Sequence, residues 1–235
     1  MKIFAFSDCH GFANELIDAL DKAGFDKTNP DHLLVGCGDY FDRGGQPYEV
    51  MKFLNSVKHK VLVKGNHEQL LIDAINRGYP GWHDYSNGTF DTICNLCNAD
   101  RWDTFEDCCI KIDGMAKHWV SKMVNYYETE NYIFVHSFVP LNIDDWREAH
   151  QKAWDNAMWG NPYDLAQQGF LPDKTLVFGH WHCSTGWALT EGRSEFGEDA
   201  KFDIFHGDGF ISIDACTAHT GKVNVLVLED EPCKH

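Results

Sequence analysis

The chain has 235 residues, of which 43% are hydrophobic and 24% charged, a composition typical of a globular protein with a substantial core. Its formal net charge of −16 argues against binding to long nucleic acids, because such a surface repels polyanions. No stretch has the length and apolarity of a membrane-spanning helix, and residues 1–6 form too short an apolar run for a signal peptide. Nine cysteines without a regular framework favour a reducing compartment, so we expect a cytoplasmic protein with no membrane partner.

Short apolar runs alternate with helical patterns along the first third of the chain. Strands are predicted at residues 3–6, 33–35, 61–63, 132–135, 176–178, 210–213 and 223–228. Helices are predicted at residues 13–23, 48–56 and 68–76. This alternation predicts parallel strands joined by right-handed crossovers. The later strands have less helix between them, which indicates a second sheet packed on the first.

Two segments lack this regular pattern. Residues 77–124 are rich in Trp, Asn, Asp and Cys, and we interpret them as a mostly helical insertion, or lid, within a single domain spanning residues 1–235. The aromatic residues of this insertion are expected to pack on the core rather than to stack on a nucleobase. Residues 185–209 contain several glycines and are predicted to form a long surface loop.

Each of the first three predicted strands is followed by a short polar motif: Asp8-Cys9-His10-Gly11, Gly38-Asp39-Tyr40-Phe41-Asp42-Arg43-Gly44 and Gly65-Asn66-His67-Glu68. In sheets of this kind, ligands collect beyond the carboxyl ends of the strands. A dinuclear metal centre needs oxygen and imidazole ligands from several loops, including one carboxylate that can bridge. Six residues at five strand ends meet this need: Asp8, His10, Asp39, Asn66, His136 and His180. The sequence therefore predicts hydrolysis of a phosphate ester with two divalent metal ions.

The order of these motifs resembles the phosphoprotein phosphatase branch of the calcineurin-like metallophosphoesterase superfamily, in particular its bacterial and phage members. The resemblance runs from Asp8 to residues 213–217 and is weakest in the insertion. It implies an α/β fold, namely a four-layer α-β-β-α sandwich with two mixed β-sheets.

The resemblance also implies the metal ligands. Asp8 and His10 would bind the first metal ion, and Asp39 would bridge both ions. The second ion would be bound by Asn66, His136 and His180. A metal-bridging hydroxide would then attack the phosphorus atom in line. Manganese or iron is the expected metal, with zinc as an alternative.

Catalytic roles follow from the same resemblance. Arg43 would stabilise the equatorial phosphate oxygens, and His67 would protonate the leaving oxygen. Asp42 would orient the His67 imidazole. Arg43 and Asn66 would also bind the substrate.

Three positions depart from the pattern of related protein phosphatases. Lys64 stands where these relatives usually have an arginine, and Asn161 stands where many carry a second arginine. Both residues are still expected to bind the substrate, with weaker orientation than a guanidinium gives. His182 lies two positions after His180 and is predicted to be a seventh metal ligand, with a substrate-facing or structural role as the alternative.

Three functions are open at this level. The first is a phosphatase that acts on phosphoserine, phosphothreonine or phosphotyrosine in proteins. The alternative is a symmetrical diadenosine tetraphosphate hydrolase, which Trp181 and the aromatic residues of the insertion favour. The third is a metal-binding scaffold without catalytic activity. The expected partner is thus a phosphorylated protein or a small phosphate ester or anhydride, and the sequence predicts no oligomeric state.

The insertion contains four closely spaced cysteines. Cys94 and Cys97 are followed by the adjacent pair Cys108 and Cys109. The adjacent pair is awkward for tetrahedral coordination, and the spacing matches no strong zinc pattern. We therefore predict reduced, partly buried thiols.

Overall fold

The computed structural model describes residues 1–233 as two β-sheets flanked by helices. The strands are β1 (Lys2–Phe6), β2 (His32–Gly36), β3 (Lys60–Leu62), β4 (Tyr127–Glu128), β5 (Tyr132–Phe134), β6 (Thr175–Phe178), β7 (Phe205–His206), β8 (Phe210–Ser212) and β9 (Leu226–Glu229). The helices are α1 (Ala13–Ala23), α2 (Pro47–Ser56), α3 (Asn66–Arg77), α4 (Trp82–Asn87), α5 (Thr89–Leu96), α6 (Phe105–Val120), α7 (Gln151–Ala157), α8 (Pro162–Gln167), α9 (Cys183–Glu191) and α10 (Thr217–Thr220).

Both sheets are mixed. The first has the order β3-β2-β1-β9, in which β1, β2 and β3 are parallel and β9 is antiparallel. The second has the order β4-β5-β6-β8-β7, with three parallel central strands and an antiparallel strand at each edge. This arrangement confirms the predicted α/β sandwich with two mixed sheets.

Three apolar clusters hold the layers together. The inner cluster joins the facing sides of the two sheets, for example Ile3 and Val35 of the first sheet with Phe134 and Val177 of the second. A second cluster packs the first sheet against α1, α2, α3, α5 and α6, and a third covers the outer side of the second sheet. Because the inner cluster is shared, the carboxyl ends of both sets of parallel strands are held close together.

The predicted insertion is largely helical, since it contains α4, α5 and α6. Ile93 and Ile112 of these helices are buried in the same cluster as Phe4 of β1, so the segment contributes to the core. Its aromatic residues divide into two groups. Phe90 stacks between Tyr85 and Phe105, whereas Trp82 and Trp102 are 85% and 77% exposed.

The prediction of a loop at residues 185–209 is wrong for residues 185–191, because these residues belong to α9, which ends at Glu191. The first four residues of α9, Cys183 to Gly186, are all buried. Consecutive burial erases the 3.6-residue polar–apolar period by which a helix is recognised in a sequence. Gly186 lies so close to the Phe205 ring that a side chain there would clash, and this contact explains a glycine inside the helix. Within residues 1–233, no helix is long and apolar enough to cross a membrane.

Candidate dinuclear metal centre

Polar residues from both sheets meet at the carboxyl ends of the parallel strands. Asp8 follows β1 and Asp39 follows β2, while Asn66 begins α3 shortly after β3. From the second sheet, His136 follows β5 and His180 follows β6. The first four of these residues are at most 3% exposed. The six predicted ligands, including His10, are therefore brought to one place by the topology.

The backbone of this region is strained. Six of the nine non-glycine residues with positive φ in the described chain belong to the site, with φ between 44° and 70°: Asp8, His10, Asp39, Asp42, Arg43 and His180. A left-handed conformation costs an L-residue about 1–2 kcal/mol. Strain concentrated in this way is typical of functional sites, where the surrounding fold holds side chains in required positions.

Three glycines allow the loops to approach each other closely. A Cβ atom at Gly38 would lie 2.6 Å from His136 Nδ1, and one at Gly65 would collide with the Asp39 side chain. At Gly179, a Cβ atom would collide with Asp8 from the opposite sheet. The site therefore needs glycine at these positions because another side chain already occupies the space.

Hydrogen bonds fix the orientation of two imidazoles. His10 Nδ1 donates to the Phe41 carbonyl at 2.8 Å, and His136 Nδ1 donates to the Cys37 carbonyl at 2.8 Å. In a neutral ring, the proton on Nδ1 leaves a lone pair on Nε2. Both Nε2 atoms are thereby prepared as metal ligands, in the manner common at metal sites.

One cluster of acceptor atoms surrounds His136 Nε2. This atom lies 2.8 Å from Asn66 Oδ1, 3.2 Å from His180 Nδ1 and 3.5 Å from Asp39 Oδ1. With its proton on Nδ1, a neutral His136 would present the Nε2 lone pair toward Asn66 Oδ1, so a cation between these two atoms could bind both of them. The donor set of imidazole, amide and carboxylate is the one that manganese, iron or zinc accepts.

A second cluster surrounds His10 Nε2, which lies 3.8 Å from both Asp8 Oδ1 and Asp39 Oδ2. Asp39 thus directs one oxygen toward each cluster, which is the geometry required of a bridging carboxylate. The His67 ring also approaches this cluster, with Nε2 3.8 Å from Asp39 Oδ2. The residues present therefore fit two neighbouring cations.

The ionisation of these groups supports the same conclusion. Burial removes the Asp8 carboxyl group from water and raises its pKa to about 6. The negative charge of the nearby Asp39 acts in the same direction. Burial also raises the pKa of Asp39, but His136, His67 and His10 outweigh it and hold that pKa below its ordinary value. Burial lowers the pKa of His180 to about 3, so its ring is neutral and free to act as a ligand.

His67 is held by a second set of contacts. Its Nδ1 lies 2.7 Å from Asp42 Oδ2, and the same oxygen accepts a hydrogen bond from the Thr89 hydroxyl at 2.8 Å. Burial lowers the pKa of His67, but the charges of Asp39 and Asp42 raise it to about 9 overall. The imidazole is therefore protonated near neutral pH and presents Nε2–H toward the metal ligands.

A cavity of about 180 Å³ opens over both clusters. Its wall includes Arg43, His83 and Asn87 in addition to the metal-ligand candidates. Trp159 also lines the cavity, and its ring approaches that of His180 with centroids 6.4 Å apart. The volume admits phosphate groups but not a nucleoside, so larger parts of a substrate would lie at the cavity mouth.

Comparison with known proteins identifies the family. Residues 1–184 match the family model described as calcineurin-like phosphoesterase. The chain belongs to this family. Its members use a dinuclear divalent metal centre, which agrees with the two clusters of ligands around Asp39.

Similar sequences carry one activity in their names. A protein of Buchnera aphidicola is 40% identical over 73 residues, which cover 31% of this chain and 26% of the relative. A protein of Pseudomonas putida is 28% identical over 144 residues, covering 60% of this chain and 43% of the relative. Both are named symmetrical bis(5'-nucleosyl)-tetraphosphatase. The chain thus spans less than half the length of either relative.

Solved structures share the fold at low sequence identity. A protein described as a candidate diadenosine tetraphosphatase has a TM-score of 0.60 and 14% identity, covering 100% of this chain and 95% of its own. A cold-active protein tyrosine phosphatase of a psychrophilic Shewanella has a TM-score of 0.58 and 18% identity, covering 97% and 75%. A protein serine/threonine phosphatase of Saccharomyces cerevisiae has a TM-score of 0.54 and 16% identity, covering 100% and 81%.

Three sequence-predicted site residues take other positions in this family member. Lys64 Nζ lies 2.8 Å from the Asp155 carboxylate, and Asn161 caps α8 through its side-chain oxygen. Neither is among the described residues that line the cavity. His182 does line the cavity, but its ring packs against Phe196 and lies outside both ligand clusters among residues 1–233. Their roles as substrate or metal ligands stay predictions.

Other residues of the site were not predicted. Glu68 is fully buried and accepts hydrogen bonds from the backbone N–H groups of Asp39, Tyr40 and Gly65. It therefore joins the loops after β2 and β3. The available signal was its place at the end of the third motif, followed by an apolar helix in which an unpaired glutamate would be costly.

The insertion also supports the site directly. The Arg43 backbone N–H donates to the Asn87 carbonyl at 3.1 Å, and the Asp42 N–H donates to the Thr92 hydroxyl at 3.0 Å. Gly88 lies against Arg43, where a Cβ atom would come within 2.6 Å of its backbone nitrogen. These contacts span more than forty residues of sequence, so local patterns carry no signal for them.

Proposed function

We propose that this chain is a metal-dependent hydrolase that cleaves dinucleoside tetraphosphates symmetrically into two nucleoside diphosphates. The names of the related proteins favour this activity over the protein phosphatase that the motifs first suggested. The same predicted ligands would hold the metals for either activity. Substrate specificity therefore depends on the residues around these ligands.

The observation that carries the proposal is a pair of partly exposed indoles beside the metal ligands. Trp159 and Trp181 are 49% and 37% exposed, and both rings lie within 6.4 Å of the His180 ring between centroids. Exposed aromatic faces stack on nucleobases with about 1–3 kcal/mol per base. Because the cavity is too small for a nucleoside, a base attached to its phosphates would reach these rings at the mouth.

The metals, when bound, supply Lewis-acid activation of water and neutralise charge on the phosphate chain. Asp8, His10 and Asp39 would hold one ion, and Asp39 would share the second with the ligands around His136. The protein itself contributes the orientation of these ligands, which the backbone strain and the imidazole hydrogen bonds provide before any substrate arrives.

Arg43 and His67 would act on the substrate directly. Arg43 is exposed at the cavity wall, where its guanidinium can donate two hydrogen bonds to phosphate oxygens. Asp42 accepts from Nδ1 of His67, and the charges of Asp39 and Asp42 raise the pKa of this imidazole to about 9, so Nε2 also carries a proton near neutral pH. Donation of that proton to the departing phosphate oxygen would lower the barrier to breaking the P–O bond.

A second candidate activity is hydrolysis of phosphate monoesters in proteins. The cavity is small, and among the described residues that line it Arg43 is the one arginine or lysine. A site with one arginine and no lysine suits a single phosphoryl group better than a tetraphosphate chain. For this reason, protein phosphatase activity is the second candidate function.

The deciding experiment compares diadenosine tetraphosphate with a phosphoserine peptide and p-nitrophenyl phosphate, using manganese-loaded protein and product analysis. The proposal expects a higher kcat/KM for the dinucleotide and ADP as the product. Trp159→Ala and Trp181→Ala should each lower kcat/KM for the dinucleotide about 5- to 150-fold relative to p-nitrophenyl phosphate.

Trp82→Ala is the matched control, because Trp82 is 85% exposed and lies outside the described cavity wall. It should leave both turnover rates unchanged. Preference for the peptide, together with equal effects of all three tryptophan variants, would reject the proposal in favour of the protein phosphatase.

A further inference from the structure

A second group of metal-ligating side chains lies in the insertion. Cys97, Asp103 and Cys108 each offer one ligand atom, and these atoms lie within 4.8 Å of one another. Cys94 lies one helical turn before Cys97, and its carbonyl accepts from the Cys97 thiol at 3.5 Å. We call these four residues the cysteine corner. They are not among the residues that line the catalytic cavity in the described chain.

The chain reverses direction so that two helices contribute to the corner. Cys94 lies in the last turn of α5 and Cys97 directly follows that helix. Asn98 then adopts a left-handed conformation with φ of 52°, and the Ala99 N–H donates to the Cys94 carbonyl at 2.9 Å. α6 begins at Phe105 and places Cys108 in its first turn, opposite the end of α5.

A tight turn positions the carboxylate. The Asp103 N–H donates to the Asp100 carbonyl at 3.2 Å, and Asp103 Oδ2 accepts from the Asp100 N–H at 3.1 Å. Lys111 Nζ lies 2.5 Å from Asp103 Oδ1. Because Lys111 is three residues after Cys108 on α6, its charge lies on the helix side that faces the corner. A cationic neighbour offsets part of the negative charge that three thiolates and a carboxylate would bring.

The two adjacent cysteines, Cys108 and Cys109, do not need to bind the same metal ion. Cys109 Sγ approaches the Ala74 carbonyl at 4.0 Å and is buried on a different side of α6. Only Cys108 of the pair faces the corner. The fourth ligand, Asp103, is a residue type that a search for cysteine spacing overlooks.

We propose that Cys94, Cys97, Asp103 and Cys108 bind one zinc ion. Three sulfurs and one carboxylate oxygen complete a tetrahedral shell with no open position, which is typical of a structural zinc site. Thiolates select zinc over the harder manganese and magnesium ions, so this site differs chemically from the catalytic centre. The ion joins α5 to α6, and α5 begins at Thr89, whose hydroxyl holds Asp42.

Proton release accompanies the binding. Coordination of one Zn²⁺ displaces three thiol protons into solvent, while Asp103 binds as the carboxylate. Zinc affinity therefore falls as the pH is lowered.

The test uses the 235-residue protein purified with reductant, stripped with chelator and reloaded with Co²⁺ or Zn²⁺. The wild type should show a sulfur-to-cobalt charge-transfer band in the near ultraviolet, which oxygen and imidazole ligands do not produce. Cys97→Ser should lose this band and one zinc per chain. Cys233→Ser is the control, because Cys233 is a half-buried thiol that contacts Lys174 and Thr129 instead.

Absence of the charge-transfer band in the wild type, or equal zinc content in the two cysteine variants, would overturn the proposal. A disulfide between two corner cysteines in the reduced preparation, detected by mass after alkylation, would overturn it also. If Cys97→Ser does not fold, Asp103→Asn decides the question while keeping every thiol. It should weaken zinc binding in competition with a chromophoric chelator, and unchanged binding would contradict the assignment.

Discussion

The two sheets contribute different chemistry to the same site. Loops of the first sheet supply carboxylates and an amide, namely Asp8, Asp39 and Asn66, together with the residues proposed to act on the phosphate. Loops of the second sheet supply the imidazoles of His136 and His180. The carboxylates of the centre therefore come from one sheet, and the second sheet adds imidazole ligands.

The two sheets also differ in how their ligands are oriented. In the first sheet, left-handed backbone and the buried Glu68 hold the loops in place. The histidines of the second sheet are positioned by the first sheet. The His136 ring donates from Nδ1 to the Cys37 carbonyl, and the backbone N–H of His180 donates to the Asp8 carboxylate at 2.9 Å. A complete site thus requires the two sheets to be packed against each other.

Substitution of the shared carboxylate should have the largest effect. Asp39→Asn keeps the shape of the side chain but removes the charge that faces both clusters. We expect loss of both metal ions and a fall in kcat of about 10³-fold or more. Metal content per chain and turnover of p-nitrophenyl phosphate measure the two effects. Loss of only one ion would show that Asp39 does not bridge.

Removal of the proton donor should separate turnover from metal binding. His67→Asn keeps a polar side chain next to Asn66 but has no proton to transfer, so kcat should fall about 10²- to 10⁴-fold. Metal analysis should still give two ions per catalytic centre. A protein that loses metal along with activity would show that His67 is itself a ligand.

The contact between the sheets can be disturbed without changing a ligand. Gly179→Ala adds a methyl group that collides with Ser7 and Asp8 across the interface. Overpacking of this kind should lower the free energy of unfolding by about 1–3 kcal/mol, measured by urea denaturation. Gly45→Ala is the matched control, since nothing lies within 4 Å of its added methyl group. Equal effects of both variants would show that the interface is not tightly packed at Gly179.

Support from the insertion to the first sheet should be smaller. Thr89→Val removes the hydroxyl that donates to Asp42 but keeps the volume of the side chain. Because Asp42 orients His67, kcat should fall about 10- to 100-fold with little change in KM. The unchanged KM distinguishes this effect from loss of substrate binding. A rate equal to that of the wild type would show that Asp42 needs no such support.

An ion pair at the edge of the second sheet should matter least. Arg147 makes two hydrogen bonds to Glu128, at 2.7 and 2.8 Å, and these bonds outweigh burial to hold the pKa of Glu128 at about 2. The carboxylate therefore stabilises the fold above pH 4.5 and loses this contribution as the pH falls toward 2. Glu128→Gln should cost about 1 kcal/mol at pH 7 and less than half as much at pH 3, by urea denaturation. A difference independent of pH would reject the ion-pair explanation.

Much of the first sheet is predictable from local patterns. The helix at residues 13–23 coincides with α1, because Leu16 and Leu20 repeat at the period of one buried face and Gly24 ends the helix in a left-handed conformation. The ligands after β1, β2 and β3 are predictable for a similar reason, since each follows an apolar run within a short motif.

Features that depend on tertiary contacts were not predictable. α9 is buried over four consecutive residues and so lacks a helical period. The support that Thr89 gives to Asp42 connects residues 47 positions apart. Asn161 is predicted to bind the substrate from its place in the sequence, and the contact of its side-chain oxygen with the start of α8 was not predictable.

The left-handed backbone of the six site residues has a consequence for engineering. A glycine at such a position relieves steric strain, so a variant with Arg43→Gly would gain on the order of 1 kcal/mol of folding free energy while losing the side chain proposed to bind phosphate. Selection for thermal stability alone would therefore favour replacement of these site residues by glycine. Thermostable derivatives of this protein should be chosen by screens that measure stability and turnover together.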